Sequence, residues 1–430
     1  TLRVVYTPSR YFASEPKADV SVILRNPQAM DSAKNQVMFA LNDYLAGIAL
    51  DQLSNQAAVG GISFSTNANN GLMVNANGYT QRLPQLFQAL LDGYFSYTPT
   101  EEQLEQAKSW YAQMMDSAEK GKAFEQAIMP VQMLSQIPYF QRETRRALLP
   151  SITLKEVMDY RNALKTHSRP EFLIVGNMSE EQSKTLAQNV RKQLGANGNE
   201  WCRNQDVLVE KQQNVIFEKA GSSTDSALAA VFVPTGYDEF AGSAYSAVLG
   251  QIIQPWFYSQ LRTEEQLGYA VFAFSMSVGR QWGLGFLLQS NDKQPAYLWQ
   301  RYQAFFPQAE EKLRKMKPEE FAQIQQAVIA QMQQAPQTLG EEASQLSKDF
   351  DRGNLTFDSR DKIVAEIKLL TPEKVADFFH QAVVKPQGMA CLSQVSGSQN
   401  GKADYVNPQG WKVWESVSAL QKSMPWSKKE

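Results

Sequence analysis

The sequence predicts an α+β protein made of two homologous sandwich domains, each a mostly antiparallel sheet packed with helices. Three observations predict it. The chain has 430 residues, more than one ordinary core organises, since domains typically run about 100–200 residues. It also repeats itself. Glu101-Glu102 and Glu319-Glu320, Ala112-Gln113-Met114 and Ala330-Gln331-Met332, and Thr153, Val157, Asp159, Tyr160 and Thr371, Val375, Asp377, Phe378 all stand at one common spacing. Three stretches in one register mark two copies of a unit of about 200 residues. Within each copy, strand-like segments open, divide and close a series of helix-like ones, the order of a sheet covered by helices.

The elements follow in order. The opening Thr1-Leu2-Arg3-Val4-Val5-Tyr6 reads as a strand with no Met and no leader-like segment before it, so we expect upstream processing or a longer parent polypeptide. Val20–Leu24 is a strand closed by Arg25-Asn26-Pro27. From Ser32 to Gln56, Val37, Leu41, Leu45, Ile48 and Leu53 recur at helical spacing until Gly60-Gly61. Ile62–Ser65 starts a strand that turns through Asn67, Asn69 and Asn70 into Leu72-Met73-Val74. Leu83–Leu91 and Glu101–Met115 are helices, the second with an acidic first turn. A helix from Leu154 and the apolar strand Glu171–Val175 end the copy. The Gly- and Asn-rich run Gly195–Glu200 is the seam, giving domains 1–198 and 206–430. In the second copy Leu228–Val233 is a strand, Ser243 to about Arg262 a helix, and Tyr269–Ser277 with Leu284–Gln289 a hairpin. Helices Lys317–Met332 and Pro372–Val383 and the strand Met389–Leu392 complete it, and the tail with Trp411, Trp414 and Trp426 reads as a docked turn with a frayed end.

Composition excludes several function classes. A net charge of −2 gives no basic field for a nucleic acid or an anionic membrane, and no apolar run reaches the ~18–20 residues that cross a bilayer. His167 and His380, the two histidines, are too far apart for any short zinc motif, and Cys202 with Cys391 make no cysteine-rich site. No conventional metal centre is expected in this chain. His167 reads as a surface residue and His380 as a helix residue flanking the core. The charged run Glu310–Lys317 reads as a solvated helix end, and Gly279–Gly285 as a hairpin without the Lys and Ser/Thr of a phosphate loop.

Two copies of one fold act as a control, and what one has and the other lacks is a candidate for function. Aligning the helix-to-strand junctions pairs Leu53 with Leu261 and Gly60 with Gly268. The second junction reads Leu261-Arg262-Thr263-Glu264-Glu265-Gln266-Leu267-Gly268-Tyr269; Arg262 faces Ser54 in the alignment and Tyr269 faces Gly61. In the following strand the alternation assigns Ala270, Phe272, Phe274 and Met276 to the core and Tyr269, Val271, Ala273, Ser275 and Ser277 to the opposite face. A planar guanidinium fork and a phenol suit peptide carbonyls or carboxylates, and donors aimed at a forming oxyanion stabilise it. From spacing alone the commoner reading of the same residues is a surface ion pair with Glu264 and Glu265 and a half-buried packing tyrosine.

Leu-Arg-Thr-Glu-Glu-Gln-Leu-Gly-Tyr-Ala-Val-Phe at 261–272 resembles the signature of the C-terminal half of the pitrilysin and insulin-degrading-enzyme family, zinc peptidases of the inverted H-x-x-E-H class. Gln254-Pro255-Trp256-Phe257 before it, Gly283–Ser290 after it, and Asn42–Gly47 in the first copy continue the likeness, which covers essentially the whole chain. The resemblance implies four homologous domains in two halves around a peptide-admitting chamber, of which this chain is the third and fourth. It implies zinc in the full-length enzyme, held by the other half. The helix in the zinc helix's place here holds Phe39, Ala40, Asn42 and Asp43 and no histidine. It further implies that Arg262 and Tyr269 hydrogen-bond the substrate backbone at the scissile bond, with Phe257 or Tyr258 lining the chamber. A one-residue length difference from some relatives leaves which of the two open. Expected partners are the N-terminal catalytic half and a peptide or small unfolded protein, in the periplasm, and the chain alone is expected to be inactive. The alternative is a structural or presequence-binding core-type subunit of the same fold without protease activity.

Overall fold

The computed structural model describes residues 2–136, 138–198, 205–398 and 403–427. Cys202 and the centre of the expected seam lie outside them. Residues of the first copy form β1 (Arg3–Thr7), β2 (Lys17–Arg25), β3 (Ser63–Ala68), β4 (Gly71–Tyr79) and β5 (Arg169–Gly176), with α1 (Ala33–Val59), α2 (Leu83–Ser96), α3 (Glu101–Glu119), α4 (Ala123–Met133), α5 (Arg142–Leu148), α6 (Leu154–Thr166) and α7 (Glu180–Leu194). The strands make one sheet in the order β1-β5-β2-β4-β3, antiparallel except for β1 beside β5.

The second copy supplies β6 (Gln213–Ala220), β7 (Ser226–Val233), β8 (Ala270–Val278), β9 (Gln281–Ser290), β10 (Met389–Ser396) and β11 (Lys412–Val413). Their order is β11-β6-β10-β7-β9-β8, with β6 parallel to both neighbours and the rest antiparallel. Its helices are α8 (Glu239–Tyr258), α9 (Pro295–Arg314), α10 (Pro318–Met332), α11 (Leu339–Asp351), α12 (Ser359–Lys368), α13 (Pro372–Phe379) and α14 (Val417–Ser423). The class is α+β, as the sequence predicts.

Helix starts follow from local chemistry. Thr100 with Gln103, Thr153 with Glu156 and Ser179 with Gln182 form reciprocal capping boxes, each satisfying two otherwise orphaned backbone donors. On one face of the first sheet, Val20, Val22, Leu24, Val74, Phe172 and Ile174 pack with Phe39, Ala46 and Leu50 of α1 and Leu90 and Tyr94 of α2. On one face of the second, Leu228, Ala230, Phe232, Phe286 and Leu288 meet residues of α8, α9, α10, α12 and α13.

The other face of each sheet is covered from across the seam. Ala123, Ala127, Ile128 and Val131 of α4, a first-copy helix, pack on Val215, Phe217, Ala229, Val231 and Cys391 of the second sheet. Reciprocally, Leu339, Ala343 and Phe350 of α11 pack on Ile23, Leu173 and Val175 of the first. The two copies exchange helices, which is why β7 and β10 are buried along their whole length. Polar contacts fasten the exchange. Buried Glu342 accepts from Ser9 Oγ (2.5 Å) and the Arg10 N–H (2.7 Å). Buried Arg25 pairs with Glu171 (3.0 Å) in its own sheet and with Asp351 (3.2 Å) of α11. In the tail, Gln421 of α14 donates to the carbonyls of Leu134 (3.0 Å) and Gln136 (2.8 Å) and accepts from the Tyr139 N–H (3.0 Å).

Candidate functional site

The junction singled out by the sequence is built differently in the two copies. In the first, α1 runs on to Val59 and closes at Gly60, with Gly61 in the left-handed region (φ 69°). In the second, α8 contains Pro255, which cannot donate its rung of the ladder, and the chain rewinds into a π-turn over Ser259–Glu264. Such wider turns recur at functional sites. The Glu265 N–H reaches back to Gln260 O (2.9 Å) and the Leu267 N–H to Leu261 O (3.0 Å), while the leucine side chains anchor in the core. Gln266 sits at φ 54°, an uncommon setting for a residue with a side chain. Gly268 is required for another reason: a Cβ there would lie 1.8 Å from Gln289 O.

Arg262 stands half-buried on this π-turn, and its guanidinium has no ion-pair or hydrogen-bond partner among the described residues. Of the two carboxylates that sequence offered it, Glu264 and Glu265, the second is taken by the fork of Arg301 at 2.7 and 2.9 Å. That pairing, with Gln260 assisting against burial, holds the Glu265 carboxyl below its ordinary range. Tyr269 lies just before β8, 53% exposed, its hydroxyl donating to Asp225 Oδ2 (3.3 Å) and accepting from Gln289 Nε2. Partial burial and the neighbouring Asp225 carboxylate push the phenol up, so it remains a proton donor through neutral pH. Arg262 and Tyr269 therefore flank one rigid junction without a hydrogen bond between them among the described residues.

Two expectations are corrected. Phe257 is 0% exposed, at the centre of a ring cluster with Phe286, Tyr302 and Phe305, so it cannot line a chamber; Tyr258, 43% exposed, is the one of the pair that meets solvent. The faces of β8 are also the reverse of the sequence assignment. Val271 and Ala273 belong to the core under α8, whereas Phe272, Phe274 and Met276 lie on the face covered by α4. The reason is close approach: Ser275 Oγ donates to Ser246 O of α8 (2.7 Å), leaving room there only for small side chains.

Asp225 and Gln289 were not singled out by sequence. The one available signal was a lone amide ending the apolar run Leu284–Leu288.

The residues present do not fit zinc. In the place of a zinc helix, buried Asn42 donates to Tyr94 Oη (3.1 Å) and accepts from Arg161 Nε (2.6 Å), and Asp43 accepts from Tyr94 (3.1 Å). Its donors are thus spent on a structural network. His380 faces Glu310 (3.1 Å) on α9, and His167 caps the end of α6 at the surface. No group of three or more His, Cys, Asp or Glu among the described residues is placed to hold a metal ion.

Comparison with known proteins places this geometry. Residues 1–147 match the family model described as the middle or third domain of peptidase M16, and residues 248–347 match that of the PQQ synthase PqqF-like C-terminal lobe domain 4. Protease 3 of Salmonella typhi is 83% identical over 424 residues, covering 99% of this chain and 44% of that protein. The chain thus spans less than half the length of such relatives. The crystal structure of pitrilysin superposes with a TM-score of 0.98 at 81% identity, over 100% of this chain and 46% of that one. A peptidase M16 inactive domain from Pseudomonas fluorescens shares the fold alone, at 14% identity and a TM-score of 0.64 over 94% of this chain and 97% of that one. The chain belongs to the pitrilysin family of M16 peptidases, in which it corresponds to the C-terminal half formed by the third and fourth domains.

Proposed function

We propose that this chain is the non-catalytic half of a zinc metalloendopeptidase that degrades peptides and small unfolded proteins, and that it completes the substrate chamber and grips the scissile backbone. Metal chemistry belongs to the N-terminal half. The chain's own contribution is a pair of donors, Arg262 and Tyr269, directed at the carbonyl of the bond to be cut. As that oxygen gains negative charge its hydrogen bonds strengthen, which lowers the barrier. The observation that carries this reading is an uncommitted guanidinium and a protonated phenol on one π-wound junction that the first copy lacks. Tyr258 is the aromatic offered to the chamber, domains 1–198 and 206–430 are the working units, and the periplasm is the compartment. The alternative, a core-type subunit without protease activity, is not favoured, because the chain is 83% identical to a protease over almost its whole length.

The test reassembles the chain with its N-terminal half. Tyr269→Phe and Arg262→Lys, which keeps the charge but not the fork, are each expected to lower kcat/KM about 10–1000-fold with the melting temperature unmoved. Wild-type kinetics for both variants sink the proposal. So does one tightly bound zinc per isolated chain, measured by metal analysis.

A further inference from the structure

The Tyr269 hydroxyl is not free to rotate. Gln289 of β9, 2% exposed, accepts through Oε1 from the Phe124 N–H (3.0 Å) in the first turn of α4, the helix contributed by the other copy. A backbone N–H only donates, so the orientation of the Gln289 amide is settled and its NH2 points the opposite way. Its two hydrogens go to Asp225 Oδ2 (2.5 Å) and to the Tyr269 oxygen. With that oxygen accepting, Tyr269 directs its single hydrogen to Asp225 Oδ2, at 3.3 Å the longest bond of the set. A phenol has one hydrogen, so Asp225 and a substrate carbonyl compete for it.

We propose that Gln289 and Asp225 are positioning residues for Tyr269: Gln289 fixes the phenolic oxygen, and Asp225 holds its hydrogen in the free enzyme and yields it to the substrate carbonyl. The inference rests on the reading of Tyr269 as a carbonyl donor. Donation from Gln289 into the phenolic oxygen polarises the O–H and makes it a stronger donor. The long bond to Asp225 is the weakest in the set and is displaced first. Through Phe124 the grip also ties the tyrosine to the exchanged helix, so the first copy helps to set a side chain of the second.

The experiment uses the reassembled two-half enzyme and a double-mutant cycle with Y269F. Q289L is expected to lower kcat about tenfold with KM within about twofold, the mark of an interaction made in the transition state. D225N, a weaker competitor for the hydrogen, is expected to raise kcat/KM about threefold. On the Y269F background both changes should vanish, since each acts through the phenol. Q289E keeps an acceptor for the Phe124 N–H, and its carboxyl, set against Asp225 Oδ2, shares one proton with that carboxylate, so the hydrogen lies between the two acids and Tyr269 receives no donor. It should match Q289L in kcat while hydrogen exchange at Phe124 stays slow, which separates positioning from folding. Effects of Q289L that persist on Y269F overturn the inference, as does a D225N enzyme that is slower than wild type or a Q289E enzyme with wild-type kcat. Wild-type kinetics for Y269F itself overturn the reading of Tyr269 instead, so the two failures are distinguishable.

Discussion

Truncating Phe257 and Tyr258 in turn separates the core from the proposed chamber wall. The Phe257 ring meets Tyr302 and Phe305 at 5.2 Å and Phe286 at 5.3 Å, each edge to face, with nothing of it exposed. Tyr302 is itself fixed, its hydroxyl donating to Leu228 O (3.0 Å), so the surroundings cannot collapse easily into the space left by F257A. The loss should therefore lie in the usual range for a buried aromatic, about 3–5 kcal/mol. At roughly 2–4 °C per kcal/mol for a cooperative unit of about 150–250 residues, that is a fall of about 6–20 °C in Tm. Y258A removes a ring that is 43% exposed and should stay within about 0.5 kcal/mol of wild type, while raising KM in the reassembled enzyme. Urea titration of the isolated chain, followed by tryptophan fluorescence, measures the first pair of numbers, and peptide hydrolysis the second. A stable F257A whose defect lies in KM would refute the assignment of Phe257 to the core and return it to the chamber wall.

Other perturbations address the exchange and the buried polar groups. Ala127→Glu puts an unpaired charge between α4 and the second sheet. Hydrogen exchange should show protection lost in Ser226–Val233 and Met389–Ser396 but kept in Lys17–Arg25; loss confined to the first sheet would contradict the exchange. Glu342→Ala leaves the Ser9 hydroxyl and the Arg10 N–H without their acceptor, at a cost of about 1–3 kcal/mol, read as a lower urea midpoint with faster exchange at Arg10. Asp43 is half-buried, and its desolvation raises the carboxyl pKa against the pull of Thr66 and Tyr94. A raised folded pKa makes native stability fall as pH rises through it, and the penalty is absent below the unfolded value. Asp43→Asn, which still accepts from Tyr94, should thus be the more stable protein near neutral pH, with the advantage closing as the medium is acidified. Parallel pH profiles for the two proteins would refute this.

Local pattern exposed what local physics decides. Helix periodicity, the glycine breaks and the repeat were all readable, because capping, turns and amphipathic faces are settled within a few residues. The exchange was not. The segment that becomes α4 is short and carries Pro130 inside it, so its helical signal is weak. Nothing in its period says that it should cover a sheet whose first residue in the chain is Gln213. The inversion of β8 follows from the same gap. With one core per sheet, the larger residues Phe272, Phe274 and Met276 must face it. With helices on both faces there is no single core side, and size instead follows how closely each helix approaches. Arg262 and Tyr269 were legible as differences between copies, whereas Asp225 and Gln289 had no such contrast to reveal them.

The contrast between copies also says how a site arises on this fold without inserting residues. Leu53 to Gly60 and Leu261 to Gly268 contain the same number of residues, so the two junctions differ in winding and not in length. In the first copy those residues are spent on helix up to Val59. In the second the π-turn ends the helix at Glu264, and the residues released carry Leu267 back into the core and bring the chain through Gly268 against the Gln289 carbonyl. Tyr269 is thereby delivered next to the amide of that same Gln289, which α4 has already oriented. The rewound turn sets where the tyrosine leaves the backbone, and the exchanged helix sets where its hydroxyl rests. Losing the rewound turn should loosen the tyrosine while leaving the second sheet in place, whereas losing the exchanged helix should loosen it together with β7 and β10, which that helix covers. On this geometry, Tyr269 is held as much by the helix exchange as by the junction that carries it.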